Sequence, residues 1–357
     1  MTHCNTIFSQ ILKLIPRHEF ETLAKQHHSG RVSLTASRWS QFVTLAMAQL
    51  AGRKSLRDIV ENVSAQAHRL YHLGSAKLTR SNLSRINEGK PYTLYESLAG
   101  KLLGRCQGMT PGHNFRTTKS AVKLHVGLNH DGYLPEFVSI TDGKTSDVEM
   151  GRALQFPRGS IVAIDRGYND YSWYNQLTKN KIFFVTRLKI NAKFKVISGR
   201  SVLKNKGLTS DQVIKFTALK PAKECPIELR RVGYQDKETG KHYVFLTNNF
   251  KLSAKTIADI YKARWQVELF FKWIKQNLKI KSFIGTSKNA VMTQIWIAVC
   301  IYLLLAFIKF QSKMNRTMQQ ILRLLQLNLF EKRDLAALLR GDPPIYIQIN
   351  NSQMTLV

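Results

Sequence analysis

The sequence predicts an α/β protein: a mixed-sheet core with an all-β insertion, preceded by a helical region and followed by a helical tail. Near residue 120 the spacing of apolar residues changes from a helical repeat to the alternation typical of strands. Two short apolar runs, 160–164 and 182–188, then stand on either side of a helical segment, as buried strands of an α/β sheet do. Further short strand-like runs across 190–250 predict the insertion.

Residues 1–110 are predicted to be helical. Helical spacing over 37–52 ends at a glycine, a serine caps the helix expected at 55–63, and a third short helix fits 78–89. Short helices joined by turns suit a helix-turn-helix reader of DNA, and a small helical bundle without that role has the same pattern. The third helix carries the polar side chains that would face DNA: Arg80, Ser81, Asn82, Ser84 and Arg85.

The α/β core is predicted to begin with a strand pair at 121–128 and 134–140, followed by a helix capped by Ser146. Asp165 directly follows the next apolar run, 160–164. Open α/β sheets place their sites just beyond the carboxyl ends of central strands. Asp165 is therefore a candidate site residue.

A helix is predicted at 261–280, with its polar residues on one stripe. At about 100° per residue, the stripe spans roughly 60° and most of the remaining surface is apolar. A carboxylate on such a helix is costly to bury unless it binds something charged, so Glu268 among cations fits a metal ion that bridges to phosphate. The alternative is an ordinary buried helix with an Arg264–Glu268 ion pair. The stripe consists of Tyr261, Arg264, Glu268 and Lys275.

The chain has 357 residues and a formal net charge of +31 at pH 7, with basic residues spread along its length. This excess predicts a polyanionic partner, with nucleic acid the leading candidate; ribosomal and membrane-surface proteins share the property. With 44% hydrophobic residues, the chain can bury large cores, unlike a basic tail. Its scattered cysteines and the lack of a signal-peptide pattern predict a reducing, intracellular location.

Residues 291–310 nearly reach the length of a transmembrane helix, at about 20 apolar residues. Thr293 and Gln294 interrupt the run early and Lys309 lies inside its far end. We therefore predict a buried core helix and no membrane partner; a membrane span is the alternative.

The chain resembles bacterial insertion-sequence transposases of the DDE type, in the subgroup with a Tyr-Arg-Glu-Lys signature and a β insertion in a ribonuclease-H-like core. Two motifs carry the resemblance: Asp165-Arg166-Gly167-Tyr168, and the helix with Tyr-x2-Arg-x3-Glu-x6-Lys spacing. The resemblance implies that Asp165 and Glu268 are catalytic carboxylates and metal ligands. We add two neighbouring basic residues to the DNA contacts it implies, which gives Tyr261, Arg264, Lys275, Lys272 and Arg166.

The resemblance also implies an activity. It consists of metal-dependent phosphodiester hydrolysis at transposon ends, followed by strand transfer through the freed 3′-OH. The expected cofactor is Mg²⁺, for which Mn²⁺ can substitute. The expected partner is double-stranded DNA, at both transposon ends and target, with a homodimer in a synaptic complex and a cytoplasmic, nucleoid-associated location.

Five segments follow from these expectations. In chain order, the predicted segments are a helical DNA-binding region, the first part of the ribonuclease-H-like core, the β insertion, the second part of the core with the Glu268 helix, and the helical tail. The corresponding ranges are 1–110, 111–189, 190–250, 251–310 and 311–357.

One expected feature of the family is missing: its first catalytic carboxylate. No Asp or Glu occurs in 97–130, and a strand with its loop is expected to be lost between Phe115 and Arg116. Impaired chemistry is therefore predicted. The rival hypotheses are a catalytically dead DNA-binding remnant that recognises transposon ends, and an RNA-binding or ribosomal protein, which leaves Asp165 and Glu268 unexplained. The carboxylates that could take the vacant place each have a local turn or cap role: Asp131, Asp142 and Asp147.

Overall fold

A computed structural model describes residues 5–30, 36–106, 122–128, 135–142, 147–202, 206–277, 283–312 and 316–343. The chain forms two compact units. The helical unit comprises Met1–Phe115, Val126–Val138 and Phe270–Val357, and the sheet unit comprises Arg116–His125 and Ser139–Leu269. The five predicted segments remain a prediction.

The helices and strands have the following bounds. The helices are α1 (Ile7–Lys13), α2 (Arg17–Gln26), α3 (Arg38–Leu50), α4 (Leu56–Ala65), α5 (Ala67–Leu70), α6 (Arg80–Gly89), α7 (Thr93–Cys106), α8 (Asp147–Ala153), α9 (Tyr171–Lys179), α10 (Leu219–Glu224), α11 (Ala254–Ala263), α12 (Trp265–Asn277), α13 (Lys288–Ser312), α14 (Met318–Asn328) and α15 (Leu335–Arg340). The strands are β1 (Val122–Leu128), β2 (Pro135–Asp142), β3 (Ile161–Ile164), β4 (Phe183–Arg187), β5 (Phe194–Gly199), β6 (Leu208–Phe216), β7 (Leu229–Gln235) and β8 (His242–Thr247).

Side-chain caps begin the helices predicted near the N-terminus. Ser37 accepts a hydrogen bond from the Ser40 amide at the start of α3, and Ser55 accepts one from Asp58 at the start of α4. Each cap satisfies an amide that has no partner within its helix. Helix α6 begins slightly later than predicted, because Thr79 is its cap. The expectation of a helical N-terminal region is confirmed.

Helix α13 forms the core of the helical unit. It packs against α3, α6, α7 and α14. By length and composition alone it could cross a membrane, but 89% of its most apolar window is buried inside the protein. The polar residues that interrupt the apolar run are buried as well, and Gln294 accepts a hydrogen bond from the Ile284 amide. The prediction of a buried core helix is confirmed.

The sheet unit contains a six-stranded mixed sheet in the order β3-β4-β8-β7-β6-β5. Strands β3 and β4 are parallel, and the remaining neighbours are antiparallel. Strands β1 and β2 pair separately in a two-stranded sheet. The mixed α/β class is therefore confirmed; the predicted turn at 131–132 lies outside the described residues.

The inserted strands extend the core sheet instead of forming a sheet of their own. Strand β8 lies beside β4, with Val185 opposite Thr247. The insertion also holds α10, so it contains more than strands. A physical reason is that β4 is covered on both faces, and its backbone groups along the second edge need a pairing partner. The sequence shows strands but not which strand they join.

Helices cover both faces of this sheet. On one face, Phe184 packs in a cluster with Trp173 and Tyr174 of α9. On the other face, Val185 packs in a cluster with Ile257 and Tyr261 of α11. Successive strand residues point to opposite faces, so the two neighbours in β4 belong to different cores.

The helix expected at 261–280 is two helices. Helix α11 ends at Ala263 and α12 begins at Trp265, so Tyr261 and Glu268 lie on different helices. Hydrogen bonds three residues apart tighten the junction at Arg264, whose amide bonds to the Tyr261 carbonyl and whose carbonyl accepts from Val267. The apolar surface of this stretch is not buried throughout, because Trp265 is 55% exposed.

Candidate active site

Asp165 follows directly after the last residue of β3. It precedes a short 3-10 helix, Arg166–Tyr168, and its carbonyl accepts a hydrogen bond from the Tyr168 amide at 3.0 Å. The tight turn ends the strand and leaves the Asp165 side chain 48% exposed. Asp165 follows the carboxyl end of its strand, as predicted. The expectation of a central, buried strand was wrong, because β3 is the edge strand of the described six-stranded sheet and Ile161 is 40% exposed.

A partly buried hydrogen-bond network connects this turn to the neighbouring strand. Asn169 accepts hydrogen bonds from the Tyr174 hydroxyl and, at 3.0 Å, from the Thr186 hydroxyl. Its amide nitrogen donates to the Arg187 carbonyl at 3.3 Å. Burial raises the pKa of Tyr174, so its phenol stays protonated and remains a donor. Asn169 therefore positions the segment that carries Asp165, a role that sequence reasoning missed.

Arg264 brings the two predicted carboxylates together. One terminal nitrogen of its guanidinium donates to Asp165 Oδ2 at 2.9 Å, and the other donates to Glu268 Oε1 at 2.7 Å. The Arg264 side chain is only 15% exposed, whereas both carboxylates are about half exposed. The Arg264–Glu268 ion pair, which the sequence offered as an alternative to a metal site, is present. Arg264 makes a second contact as well, because the same guanidinium also bonds to Asp165.

Tyr261 supports this cluster from the core side. The Arg264 guanidinium lies 5.4 Å from the centre of the Tyr261 ring, which packs 5.0 Å from the ring of Phe245. Burial, with a smaller contribution from Asp165, raises the pKa of Tyr261 against the opposing effect of Arg264. Its hydroxyl therefore stays protonated at neutral pH.

The charge on Arg264 is itself stabilised by the carboxylates. Burial alone would lower its pKa, but the hydrogen bond to Glu268 and the nearby Asp165 charge hold that pKa above the ordinary value. Arg264 is a permanent cation at this place.

Arg187 is a second arginine at this edge of the sheet, and sequence reasoning missed it. Ile164 lies opposite Thr186 in the parallel pair, so the following residues, Asp165 and Arg187, lie at the same end of the sheet. The Arg187 guanidinium stacks 5.1 Å from the ring centre of Tyr243, and its charge lowers the pKa of Tyr261. Within the described ranges it joins no ion pair of the kind that holds Arg264. Only the strand register reveals this neighbour.

The other predicted DNA contacts lie close to the carboxylates in the chain. Arg166 is exposed in the 3-10 helix after Asp165. Lys272 is exposed on α12, one turn beyond Glu268. Lys275 belongs to α12, and its side chain lies outside what the structure describes.

The expected gap and its possible replacements lie largely outside the described residues. Residues 107–121 and Asp131 are not described, so the structure does not bear on a lost strand between Phe115 and Arg116. Asp142 ends β2 and Asp147 begins α8, with neither side chain described.

The carboxylate oxygens of Asp165 and Glu268 are the type of ligand that a divalent ion such as Mg²⁺ prefers. Mg²⁺ prefers oxygen ligands and is often held by one or two carboxylates, completed by water and substrate phosphate. Asp165 and Glu268 supply two such carboxylates, both open to solvent on one side. Among the described residues no cluster of three His, Cys, Asp or Glu side chains could hold a metal ion. The guanidinium of Arg264 lies between the two carboxylates and bonds to both.

The mixed α/β fold is consistent with that of a DDE transposase domain, and comparison with known families shows membership of that class. Residues 93–304 match the family described as "Transposase DDE domain". This match covers more than half of the chain, which therefore belongs to the DDE transposase family. Residues 3–76 match a second family, described as "Domain of unknown function (DUF4372)".

Known proteins with similar sequences carry transposase names. The chain is 38% identical, over 62% of its length and 63% of the relative's, to a Sinorhizobium fredii protein named as transposase y4zB. It is 30% identical, over 69% of its length and 64% of the relative's, to a Geobacillus stearothermophilus protein named as the transposase for insertion sequence element IS5377. The matches thus span less than two thirds of these relatives. The predicted membership of an insertion-sequence transposase family is confirmed; the Tyr-Arg-Glu-Lys subgroup remains a prediction.

Proposed function

We propose that the chain acts on transposon-end DNA, by metal-dependent hydrolysis of a phosphodiester and then attack of the freed 3′-OH on a target phosphodiester. The observation that carries this proposal is the convergence of Asp165 and Glu268 on one guanidinium at the end of β3. Family membership supports DNA as the substrate, and so does the net charge of +31.

Asp165 and Glu268 would hold the divalent ion, Mg²⁺ or its substitute Mn²⁺, through their carboxylate oxygens. Such an ion supplies an activated nucleophile and stabilises the leaving oxygen. Asn169 keeps Asp165 in place through the network to β4. The Tyr261 hydroxyl, a phenol that is protonated at neutral pH, would donate to a phosphate oxygen.

The cations around the carboxylates would grip the DNA backbone. Guanidinium groups bind phosphate oxygens through two parallel hydrogen bonds, so arginines suit this task. Arg166 follows Asp165 in the chain and Arg187 lies at the same end of the neighbouring strand β4, so both would serve this purpose. Further contacts come from Arg264, Lys272 and Lys275.

The helical region before the core would recognise the transposon ends. Arg80 and Arg85 are exposed on α6, where a recognition helix needs its polar side chains. Cutting two ends together requires two active sites, so the working form is a homodimer in a synaptic complex. The setting is the cytoplasm, at the nucleoid.

A second candidate is a DNA-binding protein that recognises transposon ends without cutting them. The observation that favours it is the absence of Asp and Glu throughout 97–130, where the resemblance expects the first carboxylate. Two carboxylates are few for a two-metal site, so any cleavage is expected to be slow.

A nicking assay on end-bearing DNA separates the two candidates. We expect slow cleavage with Mg²⁺ or Mn²⁺, abolished by Asp165→Asn and by Glu268→Gln, while both variants still bind the DNA. Asp259→Asn is the matched control, because Asp259 is an exposed acidic residue on α11 that pairs with Lys255. Binding without cleavage at any metal concentration would support the second candidate. Cleavage that survives both substitutions would overturn the site assignment.

The gap has its own test. Inserting the family's first strand, with its Asp, between Phe115 and Arg116 should raise both cleavage and solubility, because the insertion restores a ligand and a strand. Equal cleavage by the unmodified chain would show that Asp131, Asp142 or Asp147 already serves as the third carboxylate.

A further inference from the structure

We propose that Arg264 is a built-in, displaceable cation: it holds Asp165 and Glu268 together and must release them before a divalent ion binds between them. The proposal rests on the metal site proposed above and adds its regulation. It differs from the expected role of Arg264 as a DNA contact, because its direct partners in the structure are the two carboxylates.

The hydrogen-bond geometry suits a bridge that can open. Each terminal nitrogen of Arg264 bonds to a different carboxylate, at 2.9 Å and 2.7 Å, instead of gripping one carboxylate with both. The parallel two-bond grip is the stronger arrangement, and neither carboxylate receives it here. Asp165 and Glu268 also remain half exposed, so an ion can reach them from solvent.

The charge balance makes Arg264 and a divalent ion competitors. Two carboxylates carry two negative charges, of which the guanidinium neutralises one. A divalent ion in the same place would neutralise both and would repel the guanidinium at close range. Arg264 therefore keeps the carboxylates arranged without metal and weakens their affinity for it.

Few other contacts hold the guanidinium in place. Its Nε is buried without a hydrogen-bond partner, and the Tyr261 ring lies against it at 5.4 Å. Arg264 also lies between α11 and α12, at the junction of the two helices. A guanidinium released from the carboxylates would retain its charge and become available to a DNA phosphate. Metal binding and DNA binding are then coupled, and by linkage each strengthens the other.

Mn²⁺ titration of the full-length chain without DNA tests this inference, with calorimetry as the readout. We expect Arg264→Gln to bind Mn²⁺ about tenfold more tightly than the unmodified chain, a change of about 1.4 kcal/mol, because the competing charge is gone. Arg264→Lys keeps the charge and should stay close to the unmodified chain. Arg187→Gln removes a nearby cation that does not touch the carboxylates and should change the affinity much less.

Each outcome has a distinct meaning. Equal or weaker Mn²⁺ binding by Arg264→Gln, with binding still lost in Asp165→Asn, would overturn the displaceable cation and leave the metal site intact. Mn²⁺ binding unaffected by Asp165→Asn and Glu268→Gln, or absent from every variant, would overturn both the metal site and this inference.

The coupling provides a second readout, independent of cleavage. Saturating Mn²⁺ should raise the affinity of the unmodified chain for end-bearing DNA, and this increase should be much smaller in Arg264→Gln. A purely structural Arg264 would give the same Mn²⁺ effect in both chains, and that result would contradict the proposal even if Arg264→Gln were less stable.

Discussion

Asn169 is the residue on which the placement of Asp165 depends. Its side-chain oxygen accepts hydrogen bonds from the hydroxyls of Tyr174 and Thr186, and both of those residues are buried. Asn169→Ala should lower the free energy of unfolding by about 1–3 kcal/mol, because buried hydroxyls would lose their acceptor. Urea unfolding measures this change. Asn180→Ala, an exposed position at the end of α9, is the control and should cost far less.

Arg187 carries a prediction about DNA. Arg187→Ala should weaken binding about equally for all DNA sequences and reduce the salt dependence by about one phosphate, as expected for a backbone contact. Fluorescence anisotropy at several salt concentrations measures both effects. Lys195→Ala removes an exposed positive charge from the edge strand β5 and should have little effect. A loss confined to one DNA sequence would instead mean that Arg187 reads bases.

The sequence predicted the two carboxylates but not the neighbouring residues that position them. Asp165 could be found because an apolar run ends at it, and Glu268 because it is an isolated acid on a largely apolar segment. Arg187 and Asn169 gain their roles from the parallel register of β3 and β4, which spacing along the chain does not contain. The same limit hid the bridge from Arg264 to Asp165, a contact across 99 residues.

Helix α9, which follows the Asp165 turn, gives a prediction for pH dependence. Asp170 caps this helix by accepting a hydrogen bond from the Trp173 amide. Partial burial alone would raise the pKa of Asp170, but hydrogen bonds from Arg152, Ser172 and that amide hold it below its ordinary value. The folded-state pKa is thus the lower one, so the ionised carboxylate stabilises the fold at neutral pH and this stabilisation is lost under acid.

Asp170→Asn keeps a capping side chain and removes the charge. The unmodified chain should be more stable than this variant by about 0.5 kcal/mol at pH 7, a figure reduced for solvent screening. The difference should begin to shrink below about pH 4, the range of an unfolded Asp, and vanish once the folded carboxyl is protonated. Thermal unfolding from pH 7 to pH 2 measures it. A difference that persists at pH 2 would mean that ionisation of Asp170 contributes nothing.

At the level of elements, prediction succeeded where local signals are strong. Apolar periodicity with a glycine stop located α3, and the cap Ser55 located α4, each within a few residues. The break between α11 and α12 was missed, because the apolar pattern continues through it. Strand β8 was located, but its place beside β4 depends on long-range pairing.

The high positive charge of the whole chain predicts how its affinity for DNA depends on salt concentration. With a net charge of +31, the chain should bind any DNA tightly at low salt and lose affinity steeply as salt rises. A plot of log affinity against log salt should be linear with a slope of about −0.9 for each phosphate neutralised. Equilibrium binding between low and physiological salt measures the slope. A flat plot would argue against a protein that grips the DNA backbone, and a preference for RNA would favour the ribosomal alternative.

The central claim is that Asp165 and Glu268 share one divalent-ion site, and the most direct measurement is iron-mediated cleavage of the polypeptide. With added H₂O₂ as oxidant and ascorbate as reductant, Fe²⁺ bound in place of Mg²⁺ generates hydroxyl radicals that cut the chain beside its own ligands, and mass spectrometry locates the cuts. We expect cuts near Asp165 and near Glu268 that disappear together in Asp165→Asn, in Glu268→Gln and on addition of excess Mg²⁺. Cuts at only one of the two segments, or cuts that the two substitutions remove separately, would contradict a shared site.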